Sequence, residues 1–242
     1  NKAMLESAKA AGVDVMMLTV DTITGGNRER DLRKGFSIPF KLSLSGIYQF
    51  AIKPMWGINY LTHPKFSLPQ LDDHVDMSGG ALSIGRYFTE MLDPTMNWED
   101  VEEMVRLWDG QFCLKGVMSP EDAKKAADIG CSGIVISNHG GRQLDGSRAP
   151  FDQLAEIVDA VGDKIDVIMD SGIQRGTHVI KALSLGAKAV GGGRFYLYAL
   201  AAAGQQGVER ALELMQAEIE RDMRFIGVNS ISELSRKNLR FR

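Results

Sequence analysis

The sequence predicts an α/β fold built on a parallel sheet, and three observations carry that expectation. Short apolar runs recur that are too brief for helices and apolar on both faces. Amphipathic segments with helix-start and helix-stop signals separate them. A polar or glycine-rich turn follows each run, as expected of strands feeding crossover helices.

The first strand is expected at 13–20, a β-branched and methionine-rich run ending at Asp21. The others are expected at 112–115, 133–137, 167–170 and 187–190. Asn97 before Trp98-Glu99-Asp100 reads as an N-cap followed by an acidic first turn. Ser119-Pro120-Glu121-Asp122 places a capping hydroxyl before a proline at the first helical position. Gly130 and Gly186 each stop a helix just before a strand. The last and longest helix is expected over roughly 207–225.

Composition fixes the broad class. With 242 residues, 44% hydrophobic and 24% charged, the chain is an ordinary globular protein able to bury a substantial core. A net charge of −3 provides no global field for nucleic acid, and no nucleic-acid partner is expected. Cys113 and Cys131 form no CxxC, which argues against a disulfide framework or a metal knuckle. No apolar run approaches the roughly 18–20 residues that span a bilayer.

The position of the unusual residues favours a (β/α)8 TIM barrel over an open sheet. Thr19 and Asp21, Lys115, Ser137 and His139, Asp170 and Gly172, and Gly193 and Arg194 all follow strand C-terminal ends. A barrel gathers those ends on one face, whereas an open sheet uses a crevice at one switch point. Only five βα units are legible where a barrel has eight. The expectation is therefore a partial barrel lacking about three N-terminal units, forming a single domain over 1–242.

A long connection, 37–96, follows the first strand without a convincing strand of its own. Its portion 40–61 mixes apolar and aromatic residues with Lys41 and Lys53. Two readings stand: a lid packed on the barrel or on a neighbouring subunit, or a surface that lies on a membrane.

The sharpest chemical signal is Ser137-Asn138-His139-Gly140-Gly141-Arg142-Gln143-Leu144-Asp145. It sets an imidazole and a guanidinium three residues apart with glycines between that admit a ligand closely. Histidine suits general-base work and an arginine fork suits a carboxylate. A lone histidine at a strand-end turn is more often incidental; the neighbouring strand ends change that balance. Asp21 could orient His139 and stabilise its protonated form, or simply cap a turn. Arg28 could be a second carboxylate clamp, or a solvated charge in a charge-rich stretch. Lys115 at a strand end suggests an anionic or electron-rich neighbour, against the alternative of a snorkelling surface lysine. The turns Asp170-Ser171-Gly172-Ile173-Gln174-Arg175-Gly176 and Gly191-Gly192-Gly193-Arg194 suit a phosphate cradle. Neither has the dinucleotide or NTPase spacing.

With these segments in order, the sequence resembles the FMN-dependent L-2-hydroxy acid dehydrogenases and oxidases. That family includes L-lactate dehydrogenase, mandelate dehydrogenase, glycolate oxidase and lactate oxidase. The likeness runs through Leu18-Thr19-Val20-Asp21-Thr22, Leu114-Lys115-Gly116-Val117, the His139 signature, Asp170-Ser171-Gly172 and Gly193-Arg194. It implies FMN as cofactor, His139 as base and Asp21 as its partner. Arg142 and Arg28 would hold the substrate carboxylate, and Lys115 would sit at the flavin N1–C2 edge. Thr19 and Ser137 would bond the flavin and Asp170 the ribityl chain. Ser171, Gly172, Gln174, Gly193 and Arg194 would complete the cofactor set around the phosphate. Gln174 stands where the family usually has an arginine, and Gly191-Gly192 where an apolar pair is commoner.

The implied activity is oxidation of an L-2-hydroxy acid to the 2-keto acid, with electrons passed to quinone or another acceptor. An oxidase reducing O2 to H2O2 is the alternative within the family. A non-catalytic flavin-binding fragment needing a partner chain is the alternative outside it, and an isomerase or decarboxylase on a phosphorylated substrate ranks last. A homo-oligomer in the cytoplasm is expected, with a peripheral contact to the inner membrane face through 40–61.

Overall fold

The computed structural model describes residues 2–33, 43–63 and 92–240. They form two compact units, Asn1–Ile23 with Thr95–Arg242, and Thr24–Pro94.

The first unit is an α/β layer structure. Helix α1 (Lys2–Ala10) leads into β1 (Val15–Thr19), and β2 (Gln111–Val117), β3 (Gly133–Ile136), β4 (Asp166–Met169) and β5 (Ala189–Val190) follow. All five pair in parallel in the order β1-β2-β3-β4-β5, so each strand lies beside its sequence neighbour. That is the strand order of a barrel wall, and five strands make a partial barrel. An open doubly wound sheet would reverse direction at a switch point.

The crossover helices begin where the sequence supplies caps. In α5 (Trp98–Trp108) the Asn97 side chain accepts from the amides of Glu99 and Asp100, while Asp100 accepts from the Asn97 amide at 2.9 Å. In α6 (Pro120–Asp128) Ser119 Oγ accepts from the Asp122 amide at 3.1 Å. Helix α7 (Pro150–Val161) also starts on a proline, and α8 (Gly176–Ser184) runs into Gly186. Gly186 has φ +105°, and a Cβ there would strike Val158 Cγ1, so glycine both ends the helix and lets the chain pass.

The core lies between the sheet and these helices. Phe112, Leu114, Ile134, Ile136, Val167 and Met169 point from the strands onto Ala123, Ala126, Leu154, Ile157 and Val161. Leu154 and Ile157 are wholly buried, each contributing about 1.5–3 kcal/mol of hydrophobic stabilisation. Both thiols are free and buried, and burial pushes Cys113 and Cys131 up to about 11, which suits inert packing residues.

Three expectations change. Strand β1 is not buried on both faces: Met16 and Leu18 pack on the core, whereas Val15 and Met17 stay about half exposed, at 52% and 46%. It is an edge strand of the described sheet, so its other face lacks the covering that an interior strand receives. The last helix, α9 (Gly193–Phe225), starts well before residue 207. Ala203 and Gly204 break it with non-helical backbone, and the sequence signals marked only the portion after the break.

The third change concerns the connection. Among its described residues it carries helices: α2 (Glu29–Arg33) precedes it, and α3 (Leu44–Ala51) and α4 (Pro54–Thr62) form its 43–63 portion. Ser43 Oγ caps α3 through the Gly46 amide, and Pro54 opens α4, signals that the apolar content of the segment overshadowed. Phe50, Trp56 and Tyr60 stack at 4.8 and 5.3 Å between ring centres. Residues 34–42 and 64–91, including Phe40, Lys41 and Leu42, lie outside the described residues.

Candidate active site

The C-terminal ends of β1 to β4 bring four of the singled-out segments together. His139 Nδ1 lies 2.6 Å from Asp21 Oδ2, joining the β3 turn to the end of β1 across 118 residues of sequence. The carboxylate side chain is 18% exposed and the imidazole 31%, so the pair is sheltered but reachable. A carboxylate only accepts, which places the proton on Nδ1 and leaves the Nε2 lone pair to take another.

The second carboxylate oxygen, Asp21 Oδ1, is buried without a hydrogen-bond partner. Gln143 Nε2 donates to the Asp21 carbonyl oxygen at 3.2 Å and ties the His139 turn to the same strand end.

Gly116 sets this approach. The β2–β3 register shifts between Lys115 and Val117, and Gly116 there has φ +103°. A Cβ on it would lie 2.6 Å from both Cγ and Oδ1 of Asp21. Gly116→Ala is expected to push Asp21 off His139 and to destabilise the fold by about 1–3 kcal/mol. Thermal denaturation and activity measured together check this, with activity lost well below the melting point.

Beside the dyad lies a second ion pair. Lys115 Nζ is 2.9 Å from Asp170 Oδ2 and donates to Ser137 Oγ at 2.9 Å. The lysine is 21% exposed and its anion is Asp170, so the snorkelling alternative fails. Burial would push the Asp170 carboxyl up, but hydrogen bonds from Ser137, Lys115 and Ser171 outweigh it and hold the group below its usual value. Asp170 is therefore ionised at neutral pH.

The glycine-rich turns offer room rather than contacts. A Cβ on Gly172 or Gly193 would meet nothing within 4 Å. Gly193 begins α9, whose first amides and dipole suit an anion. The start of α8 is already taken: Glu218 accepts from the Gly176 amide at 2.6 Å and pairs with Arg175. Arg175 and that amide hold the Glu218 carboxyl down at about 2. Gly172 and Gly193 thus leave open space at the ends of β4 and β5, and the Lys115 ammonium and the first amides of α9 are donors of the kind that fit the anionic and carbonyl groups of FMN.

Arg142 is exposed on the His139 turn, and Arg28 belongs to the second unit. Thr19 stands opposite Lys115 in the β1–β2 register. Gln174 is exposed, and its amide donates to His178 Nδ1 at 3.2 Å. Arg194 Nη2 donates to the Gly140 carbonyl oxygen at 2.8 Å, so it reaches the turn that carries His139.

Sequence reasoning passed over Gly116, Gln143 and Gly140. The first follows Lys115 and the others sit inside the histidine signature, yet nothing in a sequence tells which glycine faces a carboxylate. Among the described residues no cluster of His, Cys, Asp and Glu could hold a metal ion.

Comparison with known proteins extends these observations to the whole chain. The FMN-dependent dehydrogenase family matches residues 1–241. A Mycobacterium tuberculosis protein named "Putative L-lactate dehydrogenase" is 36% identical over 237 residues, 98% of this chain and 56% of its own length. The crystal structure of the monotopic membrane protein (S)-mandelate dehydrogenase is 36% identical, with a TM-score of 0.90 over 100% of this chain and 64% of that one. A flavocytochrome b2 double mutant with pyruvate bound is 37% identical, with a TM-score of 0.72 over 97% of this chain and 49% of that one. The chain therefore spans about half to two thirds of the length of these relatives. A match over nearly every residue, on a partial barrel with a paired histidine and aspartate at its strand ends, shows that this chain belongs to the FMN-dependent dehydrogenase family.

Proposed function

We propose that the protein oxidises an L-2-hydroxy acid of the lactate or mandelate type to the 2-keto acid, with FMN as cofactor. The observation that carries this reading is the 2.6 Å contact of His139 with Asp21, beside the Lys115–Asp170 ion pair at the same end of the sheet. Relatives named for lactate and mandelate dehydrogenation, and a flavocytochrome b2 holding pyruvate, support the substrate class.

Bound FMN supplies the two-electron acceptor. The chain's own residues bind the acid and handle its protons. Arg142 would anchor the carboxylate through paired N–H donors. His139 Nε2 takes the substrate proton, and Asp21 holds the resulting imidazolium. Lys115 would hold the ring system of the bound FMN through its ammonium, a charge that would offset negative charge there. Thr19 and Ser137 bond that ring system, and Asp170 the ribityl chain. Gly172, Gln174, Gly193 and Arg194 would serve the phosphate end, with Ser171 in the turn that carries Gly172.

Electrons pass from the enzyme to a quinone or another acceptor in this reading. Residues 43–63 contain no Asp or Glu, carry Lys53, and expose Tyr48, Met55, Trp56, Tyr60 and Leu61. Such a surface suits a peripheral contact with an anionic bilayer. The relative described as a monotopic membrane protein supports the same placement. Among the described residues no helix is long and apolar enough to cross a membrane.

Anaerobic mixing of the flavin-loaded protein with a panel of L- and D-2-hydroxy acids tests the reaction. Bleaching of the flavin by the L-acids alone supports it, and an unchanged spectrum with every acid removes it. Reoxidation in air-saturated buffer then separates a dehydrogenase from an oxidase, since fast reoxidation belongs to the oxidase. Arg142→Lys is expected to raise the KM for the acid about 10- to 100-fold, because a point charge cannot replace a planar fork. Steady-state kinetics checks this, and an unchanged KM takes Arg142 out of the site.

A further inference from the structure

We propose that Ser171 is a positioning residue for His139, acting through a closed hydrogen-bonded ring that ties the histidine turn to the ionised Asp170. The inference rests on the reading of His139 as the base and adds to it a residue that governs where the base points.

The backbone gives the first indication. Among the described residues only Asp109, His139 and Ser171 are non-glycine residues with positive φ, at 51°, 53° and 70°. Asp109 merely ends α5. The other two belong to neighbouring strand-end turns of one site. A side chain costs stability in that region, and such positions persist only where surrounding structure enforces them.

The hydroxyl provides the second. Ser171 Oγ accepts from the Gly140 amide at 3.0 Å, which commits its own proton to Asp170 Oδ1 at 2.8 Å. Ser137 does the matching work two residues before the base. Its Oγ accepts from the His139 amide at 3.2 Å and from Lys115 Nζ at 2.9 Å, and the same Nζ lies 2.9 Å from Asp170 Oδ2, which closes the ring. The amides of His139 and Gly140 are therefore each held by a serine, and both serines are tied to one carboxylate, Ser171 directly and Ser137 through Lys115. Arg194 holds the Gly140 carbonyl from the other side.

The consequence is mechanical. The peptide groups before and after His139 are each held by their N–H, and the imidazole is held at Nδ1 by Asp21. Removing Ser171 releases the Gly140 end while leaving Asp21, Lys115 and Asp170 in place. Asp21, the charged group on the imidazole, remains, as do Lys115, Asp170 and Arg194 in the surrounding turns, so the change is one of orientation and not of charge.

Two variants of the FMN-loaded protein separate this role from a merely structural one. Ser171→Gly relieves the positive φ and removes the hydroxyl; Ser171→Ala removes the hydroxyl and keeps the constraint. Both are expected to lower kcat for hydroxy-acid oxidation about tenfold with KM changed less than about twofold. The melting temperature is expected to hold or rise in Ser171→Gly and to fall in Ser171→Ala. In both, the His139 ring signals in NMR spectra, assigned by their loss in His139→Gln, are expected to broaden or split. A Ser171→Gly protein with unchanged kcat and sharp, unshifted His139 signals overturns the proposal. So does a kcat that falls only in proportion to lost folding or lost flavin. Should no hydroxy acid be oxidised at all, the proposed reaction fails, and the His139 signals alone then decide the role of Ser171.

Discussion

His139→Gln is expected to stop reduction of the flavin by hydroxy acids, with a loss of about 10²- to 10⁴-fold or more in rate, while the protein keeps its fold and its flavin. Glutamine has an amide that can still donate to Asp21 Oδ2, so the sheltered carboxylate keeps a partner. What it lacks is a nitrogen able to take up a proton near neutral pH. Because the ring is 31% exposed and outside the hydrophobic core, its loss leaves the packing of Leu114, Ile136 and Met169 untouched. Stopped-flow absorbance after anaerobic mixing reads the effect directly. Flavin reduction at the ordinary rate in this variant would show that another group is the base.

Asp21→Asn is the second large effect. The carboxamide is the same size, which matters because Gly116 leaves no spare room beside Asp21. It can still accept from Nδ1, so the ring can keep its orientation, but the negative charge that favours the imidazolium is gone. A drop in kcat of about 10²- to 10⁴-fold with a small change in KM is expected, by analogy with the loss seen when the orienting carboxylate of a catalytic triad is neutralised. The two residues form one unit, so the double variant should cost no more than the worse single one. Additive losses in a double-mutant cycle would mean that Asp21 and His139 act separately.

Much of the scaffold was legible because local signals agreed with the global pattern. Asn97 and Ser119 cap their helices, Pro120 and Pro150 open theirs, and Gly130 and Gly186 stop theirs at positive φ. The apolar runs found their parallel partners in sequence order. The histidine signature, Asp21, Lys115 and Asp170 were legible for a related reason. Polar residues directly after buried strands stand at the end of the sheet where such sites form.

The rest depended on distance in space. Nothing in the sequence tells that Lys115 meets Asp170, or that Ser171 reaches the Gly140 amide, because strand register decides both. The early start of α9 was hidden by Gly191 to Gly193, which read as a turn although the helix begins on the last of them. The helices α3 and α4 were hidden by a continuous apolar content that obscured any helical stripe.

The most direct measurement is a crystal structure of the flavin-loaded protein with a 2-keto acid product bound. The account expects the keto oxygen within hydrogen-bonding reach of His139 Nε2, Asp21 still on Nδ1, and the Arg142 guanidinium on the carboxylate. A product bound elsewhere, with His139 and Arg142 turned away from it, would contradict the account.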